Sequence, residues 1–256
     1  GLGYWKQSEH PMNGRALGLS FGLLAASMAL VAIARDGVLF MIAWEAMALS
    51  AYFAATVESE NASVREAGWI YLVATHVGTM FLLAMFALWH GVSGSFDLGA
   101  MNAIPPAAAG SIFVLSVVGF GFKAGLIPLH FWLPDAHSNA PSHVSAVMSG
   151  VMLKMGIYGI IRMASFFAFP PSWWGGVLLA AGSITGVIGI AFAISQTDMK
   201  RLLAYSSIEN IGIITMGLGL ALLGRSYGRA DWLLLGMGAA LFHVWNHGLF
   251  KSLLFF

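Results

Sequence analysis

Two lysines stand inside apolar, helix-length sequence in the stretch GFGFKAGLIPLHFWLPDAHSNAPSHVSAVMSGVMLKMGIYGIIR, residues 119–162. They are Lys123 and Lys154, and Pro128, Pro134 and Pro141 lie between them. An ionisable group at membrane depth is costly and by default marks a functional site. Pro128, five residues after Lys123, clashes with the carbonyl of Ala124 and cannot donate a helical hydrogen bond, so the helix is expected to break beside the charge. Broken helices at that depth persist only where they are packed in protein or line a wet cavity. The stretch therefore predicts an ion site on a discontinuous transmembrane helix. A lysine in a dehydrated site can load and release a proton as a nearby carboxylate changes its distance or charge.

Other ionisable residues interrupt apolar sequence elsewhere. Glu45, in IAWEAMALSAYF, needs a cationic partner or stays neutral. Its central place in the segment argues against an acid that merely reaches the interface, and pairing with Lys123 is expected. His243, His247 and Lys251 are spaced i, i+4, i+8 and so share one helical face. Two histidines at i, i+4 raise the thought of zinc, but Trp245 and Asn246 fall between them and no acidic ligand follows. A proton relay suits them better, because imidazole titrates near neutrality and both ring nitrogens take part. His76 has two readings, a core hydrogen bond or a relay position. Glu209, near the start of its predicted helix, likewise reads as an interfacial acid or a buried one. His130, Asp135, His137 and His143 flank the helix breaks, where they would cap half-helix ends or line an aqueous half-channel. Arg162, Asp198, Lys200 and Arg201 read as interfacial anchors.

The elements that must carry these groups follow from hydropathy and breakers. Residues 1–13 read as a loop. Spans are predicted at Arg15–Ala34, Val38–Val57, Ala67–Trp89, Ala108–Leu126, Pro141–Met163, Trp173–Ser195, Leu202–Leu223 and Trp232–Phe256. After Pro128 a short half-helix is expected to reach Leu133, with a turn over Asp135–Asn139. Residues 58–66, 90–107, 196–201 and 224–230 read as loops, and Phe169-Pro170-Pro171 as a hard stop. One side of the membrane would carry Lys6, Arg15, Arg65, Lys200 and Arg201, and the other Arg35, Arg162, Arg225 and Arg229. That balance is too even to set the orientation.

Composition agrees with this reading. Of 256 residues, 59% are hydrophobic and 9% charged, far below the roughly 25% charged of an average soluble domain. The class is an all-α polytopic membrane protein with about eight transmembrane helices. No cysteine is present, which excludes disulfides and thiolate-held clusters from this chain. A net charge of +1 gives no argument for nucleic acid as a partner. The chain opens on Gly1 and stops inside an apolar run, so it is expected to be a piece of a longer polypeptide.

The run of motifs resembles the antiporter-like subunits of complex I, Mrp-type sodium/proton antiporters and membrane-bound hydrogenases. It comprises the Trp-Glu of WEAMALSAYF, KAGLIPLHFWLPDAH, APSHVSAVMSGVMLKMGIYGIIR, QTDMKRLLAYSSIENIG and HVWNHGLFKSLLFF, in that order over nearly the whole chain. APSHVSAVMSGVMLKMGIYG and AYSSIENIG are most similar to the large membrane subunit of hydrogenase-4 and of formate-hydrogenlyase-type nickel–iron hydrogenases. The resemblance implies a 14-helix fold with inverted five-helix repeats, of which residues 14–164 would be the first and 165–256 the beginning of the second. It implies Glu45 as the acid of the family's fifth helix and Lys123 as its partner on the broken seventh. Lys154 would pass the proton toward the centre, and His243, His247 and Lys251 would form the polar stripe of the eleventh helix. It also places the QTDMKR loop in the cytoplasm. The implied function is a proton-translocating membrane subunit of a redox-driven complex, the alternative being an Mrp-type sodium/proton antiporter subunit. A mere scaffold for a hydrogenase arm would have lost these buried charges. No cofactor is expected in this chain. The implied partners are other membrane subunits, a peripheral redox arm, protons or sodium, and the lipid of the cytoplasmic (inner) membrane.

Overall fold

A computed structural model describes residues 14–99, 101 and 104–256. The predicted loop 1–13 and its Lys6 lie outside the described residues. Nine helices follow one another among those described: α1 Gly14–Ile33, α2 Gly37–Ala55, α3 Ala62–Ser93, α4 Pro106–Ala124, α5 Leu133–Asn139, α6 Ser142–Ser165, α7 Ser172–Ile194, α8 Met199–Ser226 and α9 Ala230–Leu254. All but α5 are long and apolar enough to cross a membrane. Their outward faces carry residues such as Leu23, Val77, Val187 and Leu234, which suit lipid or an apolar neighbour. The interior is built from Trp44, Trp89, Trp132 and Trp174 with the small residues that let helices approach.

The ends of the spans follow their capping chemistry. Asp36 accepts from the amides of Val38 and Leu39 and starts α2. Asp198 accepts from Arg201 N at 2.7 Å, so α8 begins at Met199, earlier than the predicted Leu202. α3 also exceeds its predicted bounds. Arg65 bonds Ser59 O and Glu60 O at the front of that helix, and Gly94, with φ +76°, stops it. Arg162 and Arg225 act as anchors of a definite kind. Arg162 bonds Val31 O and Ala34 O at the C-terminal end of α1, and Arg225 bonds Ala164 O, Phe167 O and Ala168 O at that of α6. Each cation covers carbonyls that a helix end leaves unpaired.

The expected break beside Lys123 is present. α4 ends at Ala124 because Gly125 turns left-handed, with φ +82°, and its amide returns to Gly121 O at 2.9 Å. A side chain at that φ would be strained, so glycine together with proline makes the stop. The resumption differs from expectation. Residues 126–132 are irregular, and the half-helix is Leu133–Asn139, where a turn had been predicted. Pro134 at the first turn and Asp135 beside it favour a helix start there. The broken segment is tied down at both ends: Ile127 N donates to Thr185 Oγ1 of α7 at 3.2 Å, and Trp132 Nε1 donates to Phe122 O at 2.8 Å. α5 is held to α8 by Arg201–Asp135 at 3.1 Å and by Lys200 Nζ, which bonds Ala140 O at 2.9 Å.

Candidate functional site

The buried ionisable groups fall into two clusters joined through α4 and α6. In the first, Lys123 is 3% exposed and its ammonium donates to Tyr71 Oη at 3.1 Å. It also lies over the rings of Tyr71 (5.3 Å) and Trp44 (5.9 Å), contacts that favour a desolvated cation. Tyr71 Oη donates onward to Ala48 O of α2 at 3.2 Å. The carboxylate of Glu45, also on α2, accepts from Thr79 Oγ1 and faces His76 Nε2 at 3.5 Å. Glu45 and Lys123 are thus not in direct ion contact. Each is bonded instead to α3, and the carboxylate acts on the lysine as the opposite charge in its surroundings.

The geometry at His76 places a proton. Its Nδ1 is 2.8 Å from Leu72 O, and a carbonyl only accepts, so Nδ1 carries hydrogen. In the neutral ring Nε2 is then bare and faces Glu45 Oε2. A proton on either group would lie across this contact. The pair sits at the edge of the bundle, Glu45 with 29% and His76 with 43% of its side chain exposed.

In the second cluster α6 departs from α-geometry over Met148–Met152, a single turn of π-helix. Such turns free a backbone carbonyl and recur at functional sites. Here Ser149 O takes the ammonium of Lys154. Ser149 Oγ bonds Ser207 Oγ of α8 at 2.8 Å, Ser207 Oγ donates to Leu203 O at 2.8 Å, and Lys251 Nζ donates to the same carbonyl at 3.0 Å. A buried hydrogen-bonded chain therefore connects the turn that holds Lys154 with Lys251, and the two ammoniums repel one another. His243 and His247 stand parallel, 6.3 Å between ring centroids, as the i, i+4 spacing requires. His243 Nε2 bonds Asn210 Oδ1 at 2.8 Å. Both ring nitrogens of His247 and of His137 are buried without a protein partner, and such atoms are ordinarily satisfied by water. His137 stacks on Phe255 and feels the charges of Lys251, Lys154 and Lys200, which places it toward the α8 loop end of the cluster.

All six sequence-derived candidates, Glu45, Lys123, Lys154, His243, His247 and Lys251, belong to these clusters. Tyr71, Thr79, Ser149 and Ser207 were missed. Tyr71, Thr75 and Thr79 repeat at i, i+4, i+8 on the buried face of α3, the same signal that singled out the histidine stripe. Tyr71→Phe should remove the hydroxyl between Lys123 and α2 while keeping the ring. Hydrogen bonds to charged groups contribute roughly 1.5–3 kcal/mol, so ion translocation should fall about tenfold or more, measured on assembled complexes in vesicles.

A family model described as NADH:quinone oxidoreductase/Mrp antiporter, transmembrane, matches residues 34–256. The chain belongs to that family. It is 39% identical over 245 residues to hydrogenase-4 component B of Escherichia coli, a match covering 94% of this chain and 36% of that protein. To formate hydrogenlyase subunit 3 of the same organism it is 37% identical, covering 93% and 38%. The chain thus spans little more than a third of the length of these relatives. Among solved structures, the Mrp complex from Dietzia sp. DQ12-45-1b superposes with a TM-score of 0.80 at 31% identity, over 91% of this chain and 25% of that one. Respiratory complex I from Thermus thermophilus gives 0.69 at 25% identity, over 93% and 67%. The fold is accordingly that of the family's antiporter-like membrane subunits, and the relatives are components of multi-subunit membrane complexes.

Proposed function

We propose that this chain is the central part of a proton-translocating membrane subunit in a redox-driven respiratory or hydrogenase complex. One observation carries the reading: Lys123, Lys154 and Lys251 are all buried in the bundle, and among the described residues none is within ion-pair distance of a carboxylate. Ammoniums kept out of water without a neutralising partner are expensive. Their retention fits groups that must change protonation, with Glu45–His76 and Lys123 as the gate, Lys154 as the relay, and His243, His247 and Lys251 as the onward stripe.

Electron transfer belongs, in this proposal, to a peripheral redox arm, with no cofactor in this chain and with other membrane subunits completing the ion path. Residues 14–164 form the first inverted repeat and 165–256 the start of the second, in the cytoplasmic membrane. The likeness to the Mrp complex supports a second reading, a sodium/proton antiporter subunit on the same framework. The test uses the full complex in sealed vesicles, with proton movement and electron transfer followed together. Proton movement that tracks electron flow and persists without sodium is the expected result. Sodium-dependent exchange without electron flow would replace the first reading by the second. Electron flow with no ion movement would overturn both.

A further inference from the structure

Glu209 and Asn210 lie within α8, which begins at Met199. They stand about 15 Å along its axis, at about 1.5 Å per residue, roughly a third of its length. Asn210 is buried, and its neighbours fix the orientation of its amide. Nδ2 is 2.7 Å from Ser206 O and 2.8 Å from Glu209 Oε2. Both are acceptors, so this end is the NH₂ group and Oδ1 is the end that faces His243 Nε2 at 2.8 Å. An amide oxygen only accepts. His243 therefore carries hydrogen on Nε2, and in the neutral ring Nδ1 is the position open to a proton. His247 stacks in parallel beside it, with both ring nitrogens lacking a protein partner.

The surroundings of Glu209 hold few charges. α7 packs against it at Gly189, where a Cβ would meet the Glu209 backbone at 2.7 Å, and Ser172–Ile194 contains no ionisable residue. Ser206 Oγ approaches the carboxylate at 3.5 Å. From α9 come Lys251 and, through Asn210, His243; Lys154 of α6 acts in turn on His243 and His247. Lys251 is the cation that acts on Glu209. A half-buried acid and a histidine are thus held by the two ends of one oriented amide, whereas Glu45 faces His76 directly.

We propose that Glu209 is a further proton-binding site of the transport path, exchanging a proton with His243 and so with His247, and that Asn210 is the positioning residue that holds the carboxylate and fixes the imidazole tautomer. The inference rests on the proton-translocating reading above. In the step itself one proton leaves the Glu209 carboxyl oxygen, is carried by water, since the Asn210 amide meets the other ring nitrogen and passes no proton, and arrives on His243 Nδ1, giving carboxylate and imidazolium. No other bond changes. The carboxylate so formed then opposes the charge of Lys251.

The test replaces Glu209 in the full complex in vesicles. Glu209→Gln keeps an acceptor for Asn210 Nδ2 and cannot ionise. The number of protons moved per electron should fall at least twofold, and Glu209→Asp should restore most of the loss. A glutamine variant with the parental stoichiometry overturns the proposal. An independent readout needs no substitution: a hydrophobic carbodiimide, which attacks protonated buried carboxyls, should label Glu209 in the unaltered complex and lower proton movement. Failure to label it at any pH at which the complex turns over also overturns the proposal. Lys154→Met run in parallel separates the two readings. If that variant stops translocation and Glu209→Gln does not, the role of Glu209 fails and the transport reading stands. If neither lowers translocation, both fail.

Discussion

Lys154→Met is expected to reduce proton translocation at least tenfold while the complex still assembles. Lys154 is 7% exposed, and its ammonium is held by Ser149 O in the π-turn of α6. Methionine matches the length of the lysine stem and adapts to irregular space. Replacing a buried charge with a well-fitting apolar group is often neutral for stability or favourable. Here it also relieves the repulsion between Lys154 and Lys251. Structure should therefore survive. Transport should not, because Lys154 is the buried ammonium whose charge acts on Lys251, His243 and His247. The measurement is proton uptake in vesicles with electron transfer recorded in parallel. Unchanged stoichiometry in an assembled Lys154→Met complex would make the lysine structural and the path wrong.

How far this arrangement was legible beforehand depended on what each residue reports by itself. A charge in an apolar span is conspicuous in one dimension, which is why Glu45, Lys123, Lys154 and Lys251 were found. The break beside Lys123 was legible because Pro128 acts locally, while the part of Gly125 showed only in its left-handed turn. The partners were not legible, because they are set by packing between helices far apart in sequence. Glu45 and Lys123 were expected to pair, and the groups between them were not foreseen. Thr79 and His76 hold the acid and Tyr71 holds the base, since α3 presents hydroxyls to both. The π-turn at Met148–Met152 has no composition signal: MSGVM is ordinary helical sequence, and only the ammonium of Lys154 and the Ser149–Ser207 contact show what it does. Asp198 caps α8 earlier than hydropathy suggests, and the seat of Asn210 between Glu209 and His243 is likewise set by packing between helices.

The second large effect concerns packing, at Gly156. α6 crosses α4 here so closely that a Cβ on residue 156 would lie 2.5 Å from Phe120 O, 2.7 Å from Ala124 N and 2.9 Å from Ala124 Cβ. Two of these are backbone atoms, which cannot rotate aside. Small residues at such crossings let transmembrane backbones approach, and the association depends on that van der Waals fit. Gly156→Ala should force the helices apart by enough to cost about 1–3 kcal/mol, the range seen for overpacked cores. Gly156→Leu, with its larger side chain, should leave little assembled complex. The crossing lies at Ala124, the last residue of α4, next to Lys123, and Gly156 is two residues from Lys154. Any variant that does assemble should therefore lose translocation more than tenfold, because the spacing between the two lysine clusters is set at this point. Gly176→Ala is the control: nothing lies within 4 Å of a Cβ there, and alanine is favoured over glycine in a helix by about 1 kcal/mol. Complex abundance in the membrane and the thermal midpoint of the purified complex give the comparison. A Gly156→Leu complex as abundant and as active as the Gly176→Ala control would show that α4 and α6 do not meet at this distance.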